Sequence, residues 1–341
     1  MKKLTLLALA CATSVLAACG GGGTESASGG TAANLDAETQ ALIAEAKNAG
    51  PVTFYSMLDE STLRVISEDF SKNYGVRVEP VRLVTADLVQ RYSAEASSGK
   101  SAADIMLLTD SGFVADALAK DWITPIAQQD LPPAADTFPK DYLTHDGSAA
   151  VVSLIPSEMV INSDETSDTP SDWTAYADSQ FKGKLMLTKP DSSPANIAFW
   201  SLMKQQYGDD FLEQIAANQP QFMNSAVPLT QGIAAGEAQV GFPGVAAIVN
   251  NLTKQGAPVQ LVNLAPTTGP EATLALSKNS SNPAGAKLLA SYLMSEAGNR
   301  LLNDDSDGIS PYDPEGTKRF TRVENIKLAD SAQINALLGV N

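Results

Sequence analysis

Polar side chains recur in this sequence where short apolar segments end and helical segments begin. Serine and threonine hydroxyls, together with free backbone amides at the start of a helix, bind anions because the amide dipoles point outward there. Ser192 and Ser193, just before a helical pattern, are the best such pair, and Thr85 is next. The same residue types are also the usual helix N-caps, so a structural role stays open for each. The candidate ligand-binding residues are Ser56, Met57, Thr85, Thr109, Asp110, Ser111, Glu158, Ser192, Ser193, Asn224, Ser225 and Phe242.

Charged and aromatic side chains add to these hydroxyls. Glu158 follows Pro156 inside an otherwise apolar stretch, so it either contacts a ligand amine or hydroxyl or faces water. Phe242 is expected to place its ring against the organic part of a ligand. Arg82 and Arg91 have the planar donor geometry that matches carboxylate and phosphate, although solvated surface charges are the alternative for both.

Catalytic side chains are scarce. The single histidine, His145, lies in a polar turn, and the sequence has no G-x-S-x-G elbow, no G-x-G-x-x-G loop and no Walker pattern. The sequence therefore offers almost no residues that could form a nucleophile with a neighbouring base. The acidic run at residues 304–308 lacks the spacing of an EF-hand and is interpreted as a solvated turn. The sequence predicts no enzyme, no cofactor and no metal, with a lipid-anchored hydrolase as the enzymatic alternative.

The amino-terminal segment predicts export. Lys2 and Lys3 precede an apolar run of about the length of a signal peptide, and residues 16–19, Leu-Ala-Ala-Cys, resemble a bacterial lipobox. The resemblance implies cleavage before Cys19 and lipid on its sulfur, whereas an ordinary signal cut near Ala18 is the alternative. Residues 1–18 are thus interpreted as a lipoprotein signal peptide, and the Gly- and Ser-rich residues 19–34 as a flexible tether.

The charge of the chain excludes several classes of partner. The formal net charge is −16, and removal of Lys2 and Lys3 with the leader makes it −18. Such an acidic body does not match nucleic acid, whose phosphates need clustered lysine and arginine. It does not match an anionic membrane surface either, so lipid is expected to provide the anchoring.

The elements that position these side chains alternate between strands and helices. Strands are predicted at residues 52–55, 76–84 and 104–108, and each is followed by an amphipathic helix. This alternation indicates an α/β fold with a largely parallel sheet, whose ligands bind outside the carboxyl ends of the strands. A second α/β unit is predicted at residues 184–264.

Two segments are expected to connect these units. Residues 149–161, broken by Pro156, predict one crossing, and residues 263–276 predict another. The sequence therefore favours two lobes, residues 35–152 plus 268–341 and residues 153–267, which close on a ligand by hinge motion. One large doubly wound domain is the alternative.

Several short motifs, in order, carry a resemblance to a known family. They lie at residues 52–60, 70–78, 103–105, 181–185, 190–193, 233–241, 282–287 and 295–302, and two examples are Phe-Lys-Gly-Lys-Leu and Asn-Pro-Ala-Gly-Ala-Lys. Together they resemble the extracytoplasmic solute-binding proteins of bacterial ABC transporters, in the branch with ferric-iron, phosphonate, thiamine and sugar-phosphate binders. The resemblance implies a type II periplasmic-binding-protein fold, an interlobe ligand cleft, a membrane permease as partner and a monomer.

The resemblance also bears on the ligand. Iron-binding members of the family carry two adjacent tyrosines after the strand that here ends near Phe242, and residues 242–247 contain none. A small organic anion, namely a carboxylate, phosphonate or phosphate ester, is therefore the expected solute. Ferric iron or a ferric chelate is the alternative ligand, and a membrane sensor is the alternative partner.

Overall fold

The computed structural model describes residues 35–100, 102–109, 111–166 and 169–340, without the side chain of Ser111. The predicted signal peptide, the tether, Cys19 and Asp110 lie outside these residues. The strands are β1 (Val52–Ser56), β2 (Val78–Arg82), β3 (Ile105–Leu108), β4 (Ile123–Thr124), β5 (Leu143–Thr144), β6 (Ala149–Leu154), β7 (Glu158–Asn162), β8 (Leu185–Thr188), β9 (Gln221–Met223), β10 (Val240–Gly244), β11 (Val259–Val262) and β12 (Glu271–Ser277).

An α-helix follows each of β1, β2 and β3, as the sequence predicts. The α-helices are α1 (Ala37–Ala49), α2 (Glu60–Tyr74), α3 (Thr85–Ser97), α4 (Ser111–Ala119), α5 (Pro194–Tyr207), α6 (Asp209–Ala217), α7 (Ala226–Ala234), α8 (Ala246–Lys254), α9 (Pro283–Met294), α10 (Glu296–Ser306), α11 (Pro314–Arg319) and α12 (Ser331–Leu337). No helix of the described chain is both long enough and apolar enough to cross a membrane.

The first lobe is built on a sheet with helices on both faces. Its strand order is β2-β1-β3-β12-β6-β5, with β4 paired to β12, and β1 runs parallel to β2 and β3. Successive side chains of a strand point to opposite faces, so Phe54 joins the core beneath α2 and α9, whereas Tyr55 joins the core beneath α3 and α4. The carboxyl ends of β1, β2 and β3 consequently meet along one edge of the lobe.

The second lobe repeats this layered arrangement. Its sheet has the order β11-β7-β10-β8-β9, in which β8 is parallel to both β9 and β10. One face packs against α5 and α6 through residues such as Phe199 and Leu212, and the other against α7 and α8 through Leu229 and Val249. The two-lobed α/β prediction is confirmed.

Both predicted crossings between the lobes are present. One crossing runs from β6 to β7, and the other from β11 to β12. The two segments also pair with each other, since Ile155 N donates to Pro270 O at 2.9 Å and Ser157 N donates to Thr268 O at 3.0 Å. Gly269 lies between these bonds, where a Cβ atom would collide with the carbonyl oxygen of Ile155. The hinge is therefore a hydrogen-bonded ribbon that needs glycine at this point.

The carboxyl-terminal segment passes from the first lobe to the second. Ile309 bridges to Leu154 near the hinge, whereas Ile334 of α12 and Leu338 pack in the core of the second lobe. The sequence-based boundaries place all of residues 268–341 in the first lobe, and the last helix differs from that expectation. The reason is that the buried apolar side chains of α12 pack against α5 and α6.

Candidate ligand site between the lobes

Two cavities lie between the lobes, and residues of both lobes line each of them. We call the first the neutral cavity because both of its carboxylates are ion-paired with an arginine. It has a volume of about 620 Å³ and is lined by Thr109, Thr144, His145, Val151, Ser193, Pro194, Ala195, Gly269, Pro270, Glu271, Thr273, Arg322, Val323 and Glu324. The acidic cavity has a volume of about 950 Å³ and includes Met57, Asp59, Arg82, Ser153, Glu158, Val245, Asn303, Asp304, Ser306, Asp307, Gly308, Asp313, Glu315 and Arg319 in its lining. Both volumes suit a small organic solute.

The start of α5 supplies hydrogen-bond donors to the neutral cavity. Ser193 is the N-cap, and its Oγ accepts a hydrogen bond from Asn196 N at 3.2 Å. Pro194 has no amide hydrogen, and the amide of Ala195 has no partner among the described residues. The hydroxyl hydrogen of Ser193 and the amide of Ala195 are thus available to a ligand oxygen.

Both carboxylates of the neutral cavity are ion-paired with the same arginine. Arg322 binds Glu271 at 2.9 Å and Glu324 at 2.8 Å, and its guanidinium also lies over the ring of Tyr142. His145 was expected in a surface turn, but it lines this cavity, and its Nε2 is buried without a hydrogen-bond partner among the described residues. His145 therefore borders the space in which a ligand of this cavity would lie.

The predicted residues of the first lobe have unequal roles. The hydroxyls of Thr85 and Thr109 are hydrogen-bonded at 3.0 Å, and of these two Thr109 lines the neutral cavity. Ser56 is fully buried, and its Oγ accepts a hydrogen bond from Leu58 N at 3.2 Å. Met57 lines the acidic cavity. Thr85 and Ser56 therefore support the loops around the cavities, while Asp110 and the side chain of Ser111 lie outside the described part.

Of the predicted residues of the second lobe, Ser193 reaches the neutral cavity and the others do not. Ser192 is exposed. Its Oγ donates a hydrogen bond to Lys189 O at 2.7 Å and accepts one from Asn196 Nδ2 at 2.9 Å. Asn224 and Ser225 are exposed at the start of α7 and line neither cavity. Of these three serines, Ser193 both caps a helix and lines a cavity, whereas Ser192 is bonded within its own turn and the side chain of Ser225 makes no capping hydrogen bond.

Phe242 is a core residue and does not face a ligand. It is 1% exposed, and its ring stacks on Phe199 with the centroids 3.8 Å apart. Trp173 contacts it edge-on from another side. The expectation that Phe242 lies against a solute is therefore wrong, because its side chain points to the face of the sheet that α5 covers. Val245, which follows β10, lines the acidic cavity instead.

Glu158 is the most unusual residue of the acidic cavity. Its carboxyl is buried, with an overall exposure of 2%, and Oε1 binds Arg319 at 2.7 Å. Burial raises the pKa of Glu158, and this shift is opposed by the charge and hydrogen bond of Arg319 and more weakly by the amide of Leu264. Oε2 has no hydrogen-bond partner of standard geometry among the described residues. Of the alternatives left open by the sequence, exposure to bulk water is excluded.

The sequence analysis missed most of the acidic cavity. Arg319 was not assigned, and the acidic run at residues 304–308 was interpreted as a solvated turn, although Asp304, Ser306 and Gly308 line the cavity. The run of three aspartates around Gly308 was the one available signal. Within the described chain, no three His, Cys, Asp or Glu side chains are grouped so as to hold a metal ion.

The family follows from the comparison with known proteins. A model of bacterial extracellular solute-binding proteins matches residues 56–305. The chain belongs to this family. The family consists of solute-binding proteins and not of enzymes, so the coarse predictions of a small-molecule ligand and of a place outside the cytoplasmic membrane are confirmed.

Solved structures of other binding proteins share the fold at low sequence identity. Iron-bound HitA from Pseudomonas aeruginosa matches with a TM-score of 0.60 and 16% identity, over 85% of this chain and 98% of that one. The substrate-binding protein of an ABC transporter from Agrobacterium tumefaciens matches with a TM-score of 0.62 and 15% identity, over 85% and 95%. AfuA from Actinobacillus pleuropneumoniae, with fructose-6-phosphate bound, matches with a TM-score of 0.55 and 16% identity, over 85% and 97%. The predicted type II periplasmic-binding-protein fold is confirmed.

A curated relative shares part of the sequence. A protein of Haemophilus influenzae described as uncharacterized is 26% identical over 147 residues, which span 42% of this chain and 42% of that protein. This match adds nothing about the ligand.

Proposed function

We propose that this solute-binding protein captures a small organic anion, namely a carboxylate, phosphonate or phosphate ester, in the neutral cavity and delivers it to a membrane permease. The observation that carries the proposal is the start of α5, where the amide of Ala195 and the hydroxyl of Ser193 are free to donate. The positive end of the helix dipole favours an anion at this place.

The remaining walls of the neutral cavity suit an organic anion better than a bare ion. Val151, Pro194 and Pro270 are apolar, and the volume of about 620 Å³ exceeds what a single inorganic ion fills. Glu271 and Glu324 are both ion-paired with Arg322, so among the described residues no unpaired carboxylate opposes the ligand charge, although the three side chains sum to a charge of −1. The similar fold of AfuA, solved with fructose-6-phosphate, is consistent with a phosphate ester.

Calorimetry on serine variants tests the site. A thermal-shift screen of organic acids, phosphonates, sugar phosphates and ferric chelates identifies a ligand, because specific binding raises the melting temperature by mass action. Ser193→Ala, alone or with Ser192→Ala, should then weaken binding about tenfold or more, since a charge-assisted hydrogen bond and the helix cap are lost.

Ser225→Ala provides the matched control for this series. Ser225 also precedes a helix of the second lobe but lines neither cavity, so its removal should leave the affinity unchanged. Equal affinity of the Ser193→Ala variant and the wild type would remove the start of α5 from the site. Stabilisation by a ferric chelate alone would contradict the assignment of an organic anion.

We further propose that the protein is held at the membrane by lipid on Cys19, facing the periplasm or the cell exterior. The basis is the lipobox-like run at residues 16–19 and the Gly- and Ser-rich stretch that follows. Cys19→Ser should move the protein from the membrane fraction to the soluble fraction, while Cys11→Ser, within the predicted signal peptide, should not. Membrane retention of the Cys19→Ser variant at the wild-type level would contradict the anchor.

A further inference from the structure

The acidic cavity holds several buried oxygen atoms without partners. Glu158 Oε2, Asn303 Oδ1 and Ser306 Oγ are buried and have no hydrogen-bond partner among the described residues, and all three residues line this cavity. Glu158 and Asn303 are each 2% exposed. An oxygen buried without a partner is unfavourable, so three in one cavity indicate that a hydrogen-bond donor belongs there.

The orientation of Asn303 is set by its own hydrogen bonds. Its Nδ2 donates to Val152 O at 3.0 Å and to Asn299 O at 2.8 Å. Since both amide hydrogens are used, the atom left without a partner is the oxygen, which can only accept. Asn303 Oδ1 therefore needs a hydrogen-bond donor and not an acceptor.

Two of these oxygens, those of Asn303 and Ser306, lie beside Gly308. A Cβ atom on Gly308 would lie 2.6 Å from Asn303 Oδ1 and 3.3 Å from Ser306 Oγ, and it would also collide with Ser153 Oγ. A side chain at this position would displace these oxygens, so glycine is needed where they lie beside the acidic cavity. An ammonium group has three hydrogens to donate to such a set.

The acidic cavity is negatively charged, as the binding of an ammonium group requires. Asp59, Asp304, Asp307, Asp313 and Glu315 line it together with Glu158, whereas the opposing cations are Arg82 and Arg319, and Arg319 is bound to Glu158. A cavity with this excess of carboxylates concentrates cations. Because the described carboxylates are not grouped to hold a metal ion, an organic cation fits better than a bare metal.

From these contacts we infer that the acidic cavity binds the ammonium group of an organic amine. The volume of about 950 Å³ leaves room for the carbon chain of the amine. This site shares no lining residue with the neutral cavity, so the inference does not rest on the proposed anion site.

Calorimetry with putrescine and spermidine tests the inference on the folded protein. At about 0.15 M salt, where weak surface attraction is screened, putrescine or spermidine should bind at one site per chain. Ser306→Ala and Asp304→Asn should each weaken this binding at least about fivefold, because a hydrogen bond or an opposite charge next to the ammonium is lost. Ser193→Ala should leave amine binding unchanged, which separates this site from the proposed anion site.

The chain offers a matched control for Asp304. Asp305 is its exposed neighbour on α10 and does not line the cavity, so Asp305→Asn removes the same charge without touching the site. Equal losses in the Asp304→Asn and Asp305→Asn variants would mean general charge attraction and would overturn the inference. It would also be overturned by equal binding of tetramethylammonium, which has no N–H donor, by binding of Mg²⁺ without amines, or by no binding of either amine.

Discussion

At the scale of single residues, the pair of Glu158 and Arg319 connects the hinge to the carboxyl-terminal segment. Glu158 begins β7, directly after the first crossing, and Arg319 ends α11. A buried ion pair repays its desolvation only in part, so such pairs contribute little net stability compared with apolar contacts. Its position beside the unpaired oxygens of the acidic cavity agrees with the amine site proposed above.

The raised pKa of Glu158 predicts a pH dependence of stability. Its ordinary value is 4.5, and burial raises the pKa in the folded protein, so the folded state holds this proton more tightly than the unfolded state. Ionisation of Glu158 therefore lowers the free energy of unfolding as the pH rises from 4.5 through the folded pKa. Glu158→Gln, which mimics the protonated form, should gain stability relative to the wild type over this range.

Urea unfolding at several pH values measures this difference. The exposed carboxylate of Glu68 supplies the control, because Glu68→Gln removes a similar group at the surface. A stability difference between Glu158→Gln and the wild type that stays constant from about pH 4 to pH 7.5 would show that Glu158 is not titrating there.

At the scale of elements, the packing of α12 fixes the end of the chain to the second lobe. Ile334 is completely buried in the core of the second lobe, whereas Leu328, six positions earlier in the same segment, is 55% exposed. The helix is short, so its stability comes from this packing more than from its own backbone bonds. Its contacts with α5 place it behind the helix whose first turn lines the neutral cavity.

Truncation of Ile334 measures that packing. Ile334→Ala should lower the free energy of unfolding by about 2 to 4 kcal/mol, because a buried side chain is lost and a cavity remains. Leu328→Ala removes a similar apolar side chain at the surface and should change it by less than about 0.5 kcal/mol. Chemical denaturation of both variants makes the comparison, and equal effects would mean that α12 does not pack as described.

At the scale of the whole molecule, the two lobes and the hinge ribbon create both cavities. Asn250 of α8 donates a hydrogen bond to Asp307 at the end of α10, which joins the second lobe to the first beside the acidic cavity. A solute shifts the lobes toward closure only by as much as it binds the closed form more tightly. Ligand groups that contact Thr109 on one lobe and Ser193 on the other meet this requirement in the neutral cavity.

Much of the local structure followed from the sequence. The helix predicted after the strand at residues 76–84 is Thr85–Ser97, and the break at Pro156 does separate β6 from β7. These features depend on the spacing of apolar residues and on proline and glycine, which act within a few positions along the chain. The order of the short motifs was likewise enough to identify the family, because each motif is local.

The sites depended on tertiary structure. Asn303, Ser306 and Arg319 meet Glu158 from segments more than 140 positions away, and no local pattern marks that meeting. Phe242 and Val245 are three residues apart, yet the first is in a core and the second lines a cavity, because β10 turns one face to α5 and then ends at the cleft. Sequence alone determined which elements form and in what order, whereas the packing of the two lobes decided which side chains surround a common space.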